Sequence, residues 1–93
     1  MLVFPNDARS YDATRRAVRF WGHDSALECS FFVTEEALRS VAAGMRNDEA
    51  AMLNAFDLNR DCIRAAATRV YKRRTKGSYE LGAADLARAA SGK

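Results

Sequence analysis

The sequence predicts an α+β domain: a small, mainly antiparallel sheet of three or four strands packed by a short helix and a long one. Three observations carry that expectation. Two apolar/polar alternating runs lie on either side of a short polar stretch within residues 15–33. Two helix-start signals follow, at Thr34-Glu35-Glu36 and Asn47-Asp48-Glu49. The second opens a three- and four-residue apolar repeat from Met52 to Val70.

The elements follow in order. Arg9-Ser10-Tyr11-Asp12 reads as a short edge strand that turns through Asp12-Ala13-Thr14, where Asp and Thr side chains can bond the turn backbone. In the hairpin 15–33, Arg16–Trp21 and Ala26–Val33 form the strands, and Gly22-His23-Asp24-Ser25 forms a four-residue loop. That loop would set Trp21 opposite Ala26, Phe20 opposite Leu27, Arg19 opposite Glu28 and Val18 opposite Cys29. One face then carries Val18, Phe20, Leu27, Cys29, Phe31 and Val33, all apolar. The other carries Arg15, Arg19, Trp21, Glu28, Ser30 and Phe32, with an Arg19–Glu28 cross-strand pair of opposite charge.

Thr34 can cap a helix over 34–43, with Glu35 and Glu36 at its positive end and Gly44 after it. Met52, Leu53, Phe56, Cys62, Ile63, Ala66, Ala67 and Val70 give the long helix, 47–75, its apolar stripe, and Gly77 follows it. Ser78-Tyr79-Glu80-Leu81 reads as a final strand over 78–81, and a turn or two of helix follows from Gly82. The whole of 1–93 is expected to be one domain, ordered over about 2–87, with 88–93 a frayed tail.

Composition excludes several classes. The 93 residues are 48% hydrophobic with 5 Gly and 1 Pro, which excludes disordered and collagen-like chains and leaves room for one modest core. No apolar run approaches the length of a membrane span, and no apolar run follows basic residues at the start, so the cytoplasm is the expected compartment. Cys29 and Cys62, 33 positions apart in a chain with one His, read most simply as small buried apolar side chains, with a disulfide or a reactive thiol as the alternative. No metal and no cofactor is expected: the ligand inventory is too thin for zinc, and the glycines stand singly rather than in a phosphate loop. His23-Asp24-Ser25 are neighbours in a tight loop, where side chains diverge and a catalytic triad cannot form; Asp24 there serves the turn. A catalytic constellation is therefore not expected, and an enzyme is the weakest class.

The net charge of +3 conceals an asymmetry. Residues 1–59 carry 6 basic and 9 acidic side chains, and residues 60–93 carry 9 and 3. Seven cations fall within residues 60–76, beginning with Arg60. Arg64, Arg69, Lys72, Arg73, Arg74 and Lys76 form a candidate polyanion-binding set, with Tyr71 and Tyr79 near in sequence as stacking rings. Arg64, Arg69 and Lys72 project away from the apolar stripe and should be solvated; the same residues would equally serve as a soluble helix face. The second candidate is an interaction patch of Arg15, Arg19, Trp21 and Phe32 on the non-core face of the hairpin. Covering of Trp21 and Phe32 by Leu2-Val3-Phe4, or by the tail around Leu86, is the competing expectation.

Ser10-Tyr11-Asp12-x-x-Arg15-Arg16-x-Val18-Arg19-Phe20-Trp21-Gly22 and Ser30-Phe31-Phe32-Val33 resemble the bacterial family Domain of Unknown Function 1488. Phe56, Ile63, Val70-Tyr71, Gly77-Ser78-Tyr79-x-Leu81 and Ala84-Asp85-Leu86 continue the likeness over about residues 2–87. The resemblance implies a stand-alone α+β domain in a bacterial cytoplasm and brings no activity or site residues. The functional expectation is a non-enzymatic accessory module that docks a protein partner or itself through the Trp21 and Phe32 face. Nucleic-acid binding by the basic end of the long helix is the alternative.

Overall fold

The computed structural model describes residues 1–71 and 78–91. In chain order the elements are β1 (Leu2–Val3), β2 (Arg9–Asp12), β3 (Ala17–Asp24), β4 (Leu27–Thr34), α1 (Glu35–Val41), α2 (Glu49–Leu58), α3 (Arg60–Val70), β5 (Ser78–Leu81) and α4 (Ala83–Ser91). The α+β class and the mainly antiparallel sheet agree with the sequence. The strands number five rather than three or four, because Leu2–Val3 also pairs with β3. β1 and β2 lie one after the other along one edge of β3, and β4 holds the other edge. β5 then adds to β4 in parallel, after three helices.

The β3–β4 register differs from the expected one. The loop is Ser25-Ala26 alone, with a positive φ of 58° at Ser25, as tight two-residue hairpins require at their first position. Val18 therefore pairs with Val33, Phe20 with Phe31 and Gly22 with Cys29. Every pairing has moved by four residues, an even number, so the two faces keep their composition. The expected Arg19–Glu28 pair is gone: Arg19 lies opposite Phe32, and Glu28 lies opposite His23, 3.5 Å from its imidazole. Gly22 suggested a loop, but it belongs inside β3. A Cβ there would sit 3.0 Å from both Leu2 Cδ1 and Phe4 Cε1, so the missing side chain is what lets the N-terminal segment onto the sheet.

The long helix is two helices. Asn59 leaves helical geometry (φ −125°, ψ 25°) and bonds back to α2 through its N–H to Phe56 O and its side-chain amide to Ala55 O. The apolar repeat runs across the break, because Phe56 and Ile63 keep a helical spacing of seven positions on either side of it. The predicted cap at Thr34 is made, its Oγ1 accepting from Ala37 N–H at 3.1 Å, and within the Asn47-Asp48-Glu49 start signal it is Asp48 that caps, its Oδ1 accepting from Ala51 N–H at 2.8 Å. The last helix exceeds its expected length, running to Ser91 where fraying was expected from 88.

All four helices pack on the face of the sheet that bears Phe20 and Phe31. Phe31 stacks on Phe20 at 5.3 Å and on Tyr79 at 5.4 Å, and Phe56 from α2 tilts against Phe20 at 5.1 Å. Leu38, Met52, Ile63 and Leu86 bring one side chain from each helix into that layer, each fully buried. Burial of each is worth about 1.5–3 kcal/mol before chain entropy is counted. Leu27, expected in the core, is 42% exposed because the shifted register places it at the hairpin tip.

Candidate interaction face

With the helices on one side, the strands present their alternate side chains on the other. The register fixes neighbours there: Ser10, Arg19, Phe32 and Glu80 form one cross-strand row, and Trp21, Ser30 and Ser78 the next. Phe32 is 6% exposed yet lies outside the helix-covered core. Side chains of its own face cover it. The Arg15 guanidinium sits 4.2 Å from its ring centre and that of Arg19 at 5.5 Å, while Arg19 also lies 5.0 Å from the Trp21 ring. A cation over an aromatic face is attracted by the ring quadrupole, and the same stacking excludes water from Phe32. The expected cover by Leu2-Val3-Phe4 or by the tail is not what is found: Leu2 and Phe4 pack against the core, and Leu86 is part of it. Phe32 is thus a floor beneath the face, and half-buried Trp21 is its accessible ring.

Arg19 is held on two sides. Its Nε and Nη2 donate to Ser30 Oγ, at 3.3 and 2.9 Å, and two rings flank the guanidinium. Most other described arginines face a carboxylate, as in Arg9–Asp57, Arg16–Glu35, Arg60–Asp57 and Arg64–Asp7. Among the described residues no carboxylate lies within 4.0 Å of Arg19 or Arg69. Arg15 has only a loose contact with Asp12, at 3.9 Å. The patch of Arg15, Arg19, Trp21 and Phe32 is therefore brought together, with Arg19 at its centre.

The basic set fares differently. Lys72, Arg73, Arg74 and Lys76 lie outside the described residues. Arg64, expected to be solvated, is half-buried under the segment between β1 and β2: it donates to Asn6 O at 3.3 Å and Asp7 Oδ1 at 3.0 Å, and its guanidinium faces the Phe4 ring at 5.4 Å. Arg60 adds a bond to Asp7 O at 2.9 Å, and Arg9 forms a two-point pair with Asp57. These cations fasten the N-terminal segment to the helices. Arg69 remains exposed.

Asp24 was misread. It is buried at 2% exposure, and its carboxylate accepts from the Tyr71 hydroxyl at 2.8 Å and from the Met1 ammonium at 2.9 Å. Burial and the neighbouring carboxylate push the Tyr71 phenol well above its usual range. An Asp beside a hairpin loop carries no mark in sequence that separates this role from turn formation. Among the described residues no cluster of three His, Cys, Asp or Glu could hold a metal ion, and no helix is long and apolar enough to cross a membrane.

A family model described as "Protein of unknown function (DUF1488)" matches residues 2–81. This chain belongs to the DUF1488 family. The matched span runs from β1 through β5, so it contains every strand and the whole of the Arg19–Trp21 face, and it stops before α4. No curated protein matches the chain. Among solved structures it is similar to a DUF1488 protein of unknown function from Shewanella loihica PV-4, with a TM-score of 0.73 at 16% identity over 86% of this chain and 90% of that one. That likeness extends the DUF1488 fold to a distant sequence.

Proposed function

We propose that this DUF1488 domain is a non-catalytic interaction module of a bacterial cytoplasm whose open sheet face docks an acidic segment of a protein partner. The observation that carries the reading is Arg19. Its guanidinium is oriented by Ser30, flanked by Trp21 and Phe32, and without a carboxylate among the described residues. Little rotamer freedom remains to be lost when a partner's Asp or Glu arrives, which favours binding. Trp21 beside it is the residue type that contributes most at protein interfaces, as is Arg.

The single tryptophan makes the test direct. A glutamate-rich peptide containing one aromatic residue is titrated against the full chain while Trp21 fluorescence is followed. A saturable change that Arg19→Ala removes, with the far-ultraviolet circular dichroism unchanged, supports the reading. No change, or a change that survives Arg19→Ala, overturns it. A single-stranded oligonucleotide run in parallel separates the partner classes: a saturable response to it alone would replace the protein partner by nucleic acid.

A further inference from the structure

Away from the sheet face, a cavity of about 380 Å³ opens between the last turn of α3 and α4, lined by Arg69, Val70, Asp85 and Arg88. Its volume lies within the range of small-ligand sites. Neither Arg69 nor Arg88 donates a hydrogen bond to a described residue. Arg88 Nη1 stands 3.6 Å from Asp85 Oδ1, too long for such a bond, and Asp85 Oδ2 is engaged by the Gly82 N–H at 2.8 Å. Asp85 thus opens α4 with one oxygen and holds Arg88 loosely with the other. It balances one of the two positive charges that the described residues place on the wall.

Two guanidinium forks with free donors beside one concavity are suited to an anion whose oxygens accept several bonds at once. Val70 supplies an apolar surface, and the volume exceeds what a bare oxyanion fills. We propose that the α3–α4 cleft binds the phosphate group of a phosphate monoester, with Arg69 and Arg88 as its ligands. This site is separate from the sheet face and does not depend on it.

The test is a titration of the nitrogen-labelled full chain with inorganic phosphate and, separately, with a nucleoside 5′-monophosphate, at constant ionic strength, following the side-chain Nε–H signals of Arg69 and Arg88. Saturable shifts of both arginines are expected, with chloride giving none. Arg69→Ala and Arg88→Ala should each weaken the response at least tenfold with the melting temperature unchanged. Arg19→Ala should leave it intact. A tighter response to the nucleoside monophosphate supports an ester ligand that uses the remaining volume. A linear response, one that chloride reproduces, one that survives Arg69→Ala with Arg88→Ala, or saturation by inorganic phosphate equal to that by the monoester would overturn the proposal.

Discussion

The Tyr71 hydroxyl donates to Asp24 Oδ2 at 2.8 Å, tying the end of α3 to the tip of the β3–β4 hairpin across 47 residues of chain. Tyr71→Phe keeps the ring, with its edge contact to Tyr79 at 5.7 Å, and removes the donor to a buried carboxylate. A loss of about 1–3 kcal/mol is expected, measured by urea unfolding at pH 7.

The same contact sets a response to alkali. Burial first, and then the Asp24 carboxylate, raise the Tyr71 pKa above its ordinary value of 10.0. The folded chain therefore keeps a proton that the unfolded chain releases near pH 10. The contribution of Tyr71 is fully present below that pH and is lost as pH climbs through the folded value. The phenolate absorbance at 295 nm, taken as the difference between wild type and Tyr71→Phe, should appear only well above pH 10.

Acid acts on another pair. The two-point bond from Arg9 is the first cause that holds the Asp57 carboxyl below its usual range, with Arg60 adding to it. That contribution is present above the unfolded carboxyl value, near pH 4, and fades as pH falls through the depressed one. Arg9→Leu should cost about 0.5–1 kcal/mol at pH 7, since the pair is partly exposed. The difference from wild type should shrink toward pH 2, as read from thermal melts across that interval.

Gly22→Ala would place a methyl group 3.0 Å from Leu2 Cδ1 and Phe4 Cε1 and 3.3 Å from Phe31 Cε2. The flexible end of Leu2 can yield, but the Phe4 ring lies within 6.2 Å of the Phe20 and Phe31 rings and cannot move freely. We expect a loss of about 1–3 kcal/mol in chemical denaturation.

Arg64→Ala should release the segment it fastens. It removes the bonds to Asn6 O and Asp7 Oδ1 and the contact with Phe4. Amide exchange at Leu2 and Val3 should accelerate several-fold, while Phe20 and Phe31 at the sheet centre keep their protection.

Much of this architecture was legible because periodicity and capping are local. Thr34 caps the helix it was expected to cap, the Asn47-Asp48-Glu49 signal does open a helix, and the apolar face of the hairpin is the one that is buried. The Arg19–Trp21–Phe32 cluster was legible for the same reason: alternation alone puts these side chains on one side. The errors arise where a residue's role is set by something distant. Gly22 looked like a loop because its need for space comes from Leu2 and Phe4, about twenty residues away. Arg64 looked solvated because the carbonyl it meets belongs to Asn6. Asn59 broke a helix that the apolar repeat carried across by counting seven positions from Phe56 to Ile63.

The parallel pairing of β5 with β4 orders assembly in time. β3 and β4 are joined by a two-residue loop and can form early, whereas Phe31 meets Tyr79 only after 48 further residues have been made. A nascent chain that ends before Ser78 holds the hairpin with one edge of β4 unpaired, and an unpaired edge is a template for association with other chains. The most hazardous moment in the life of this protein should therefore fall during synthesis, in the interval between completion of α3 and emergence of Leu81 from the ribosome.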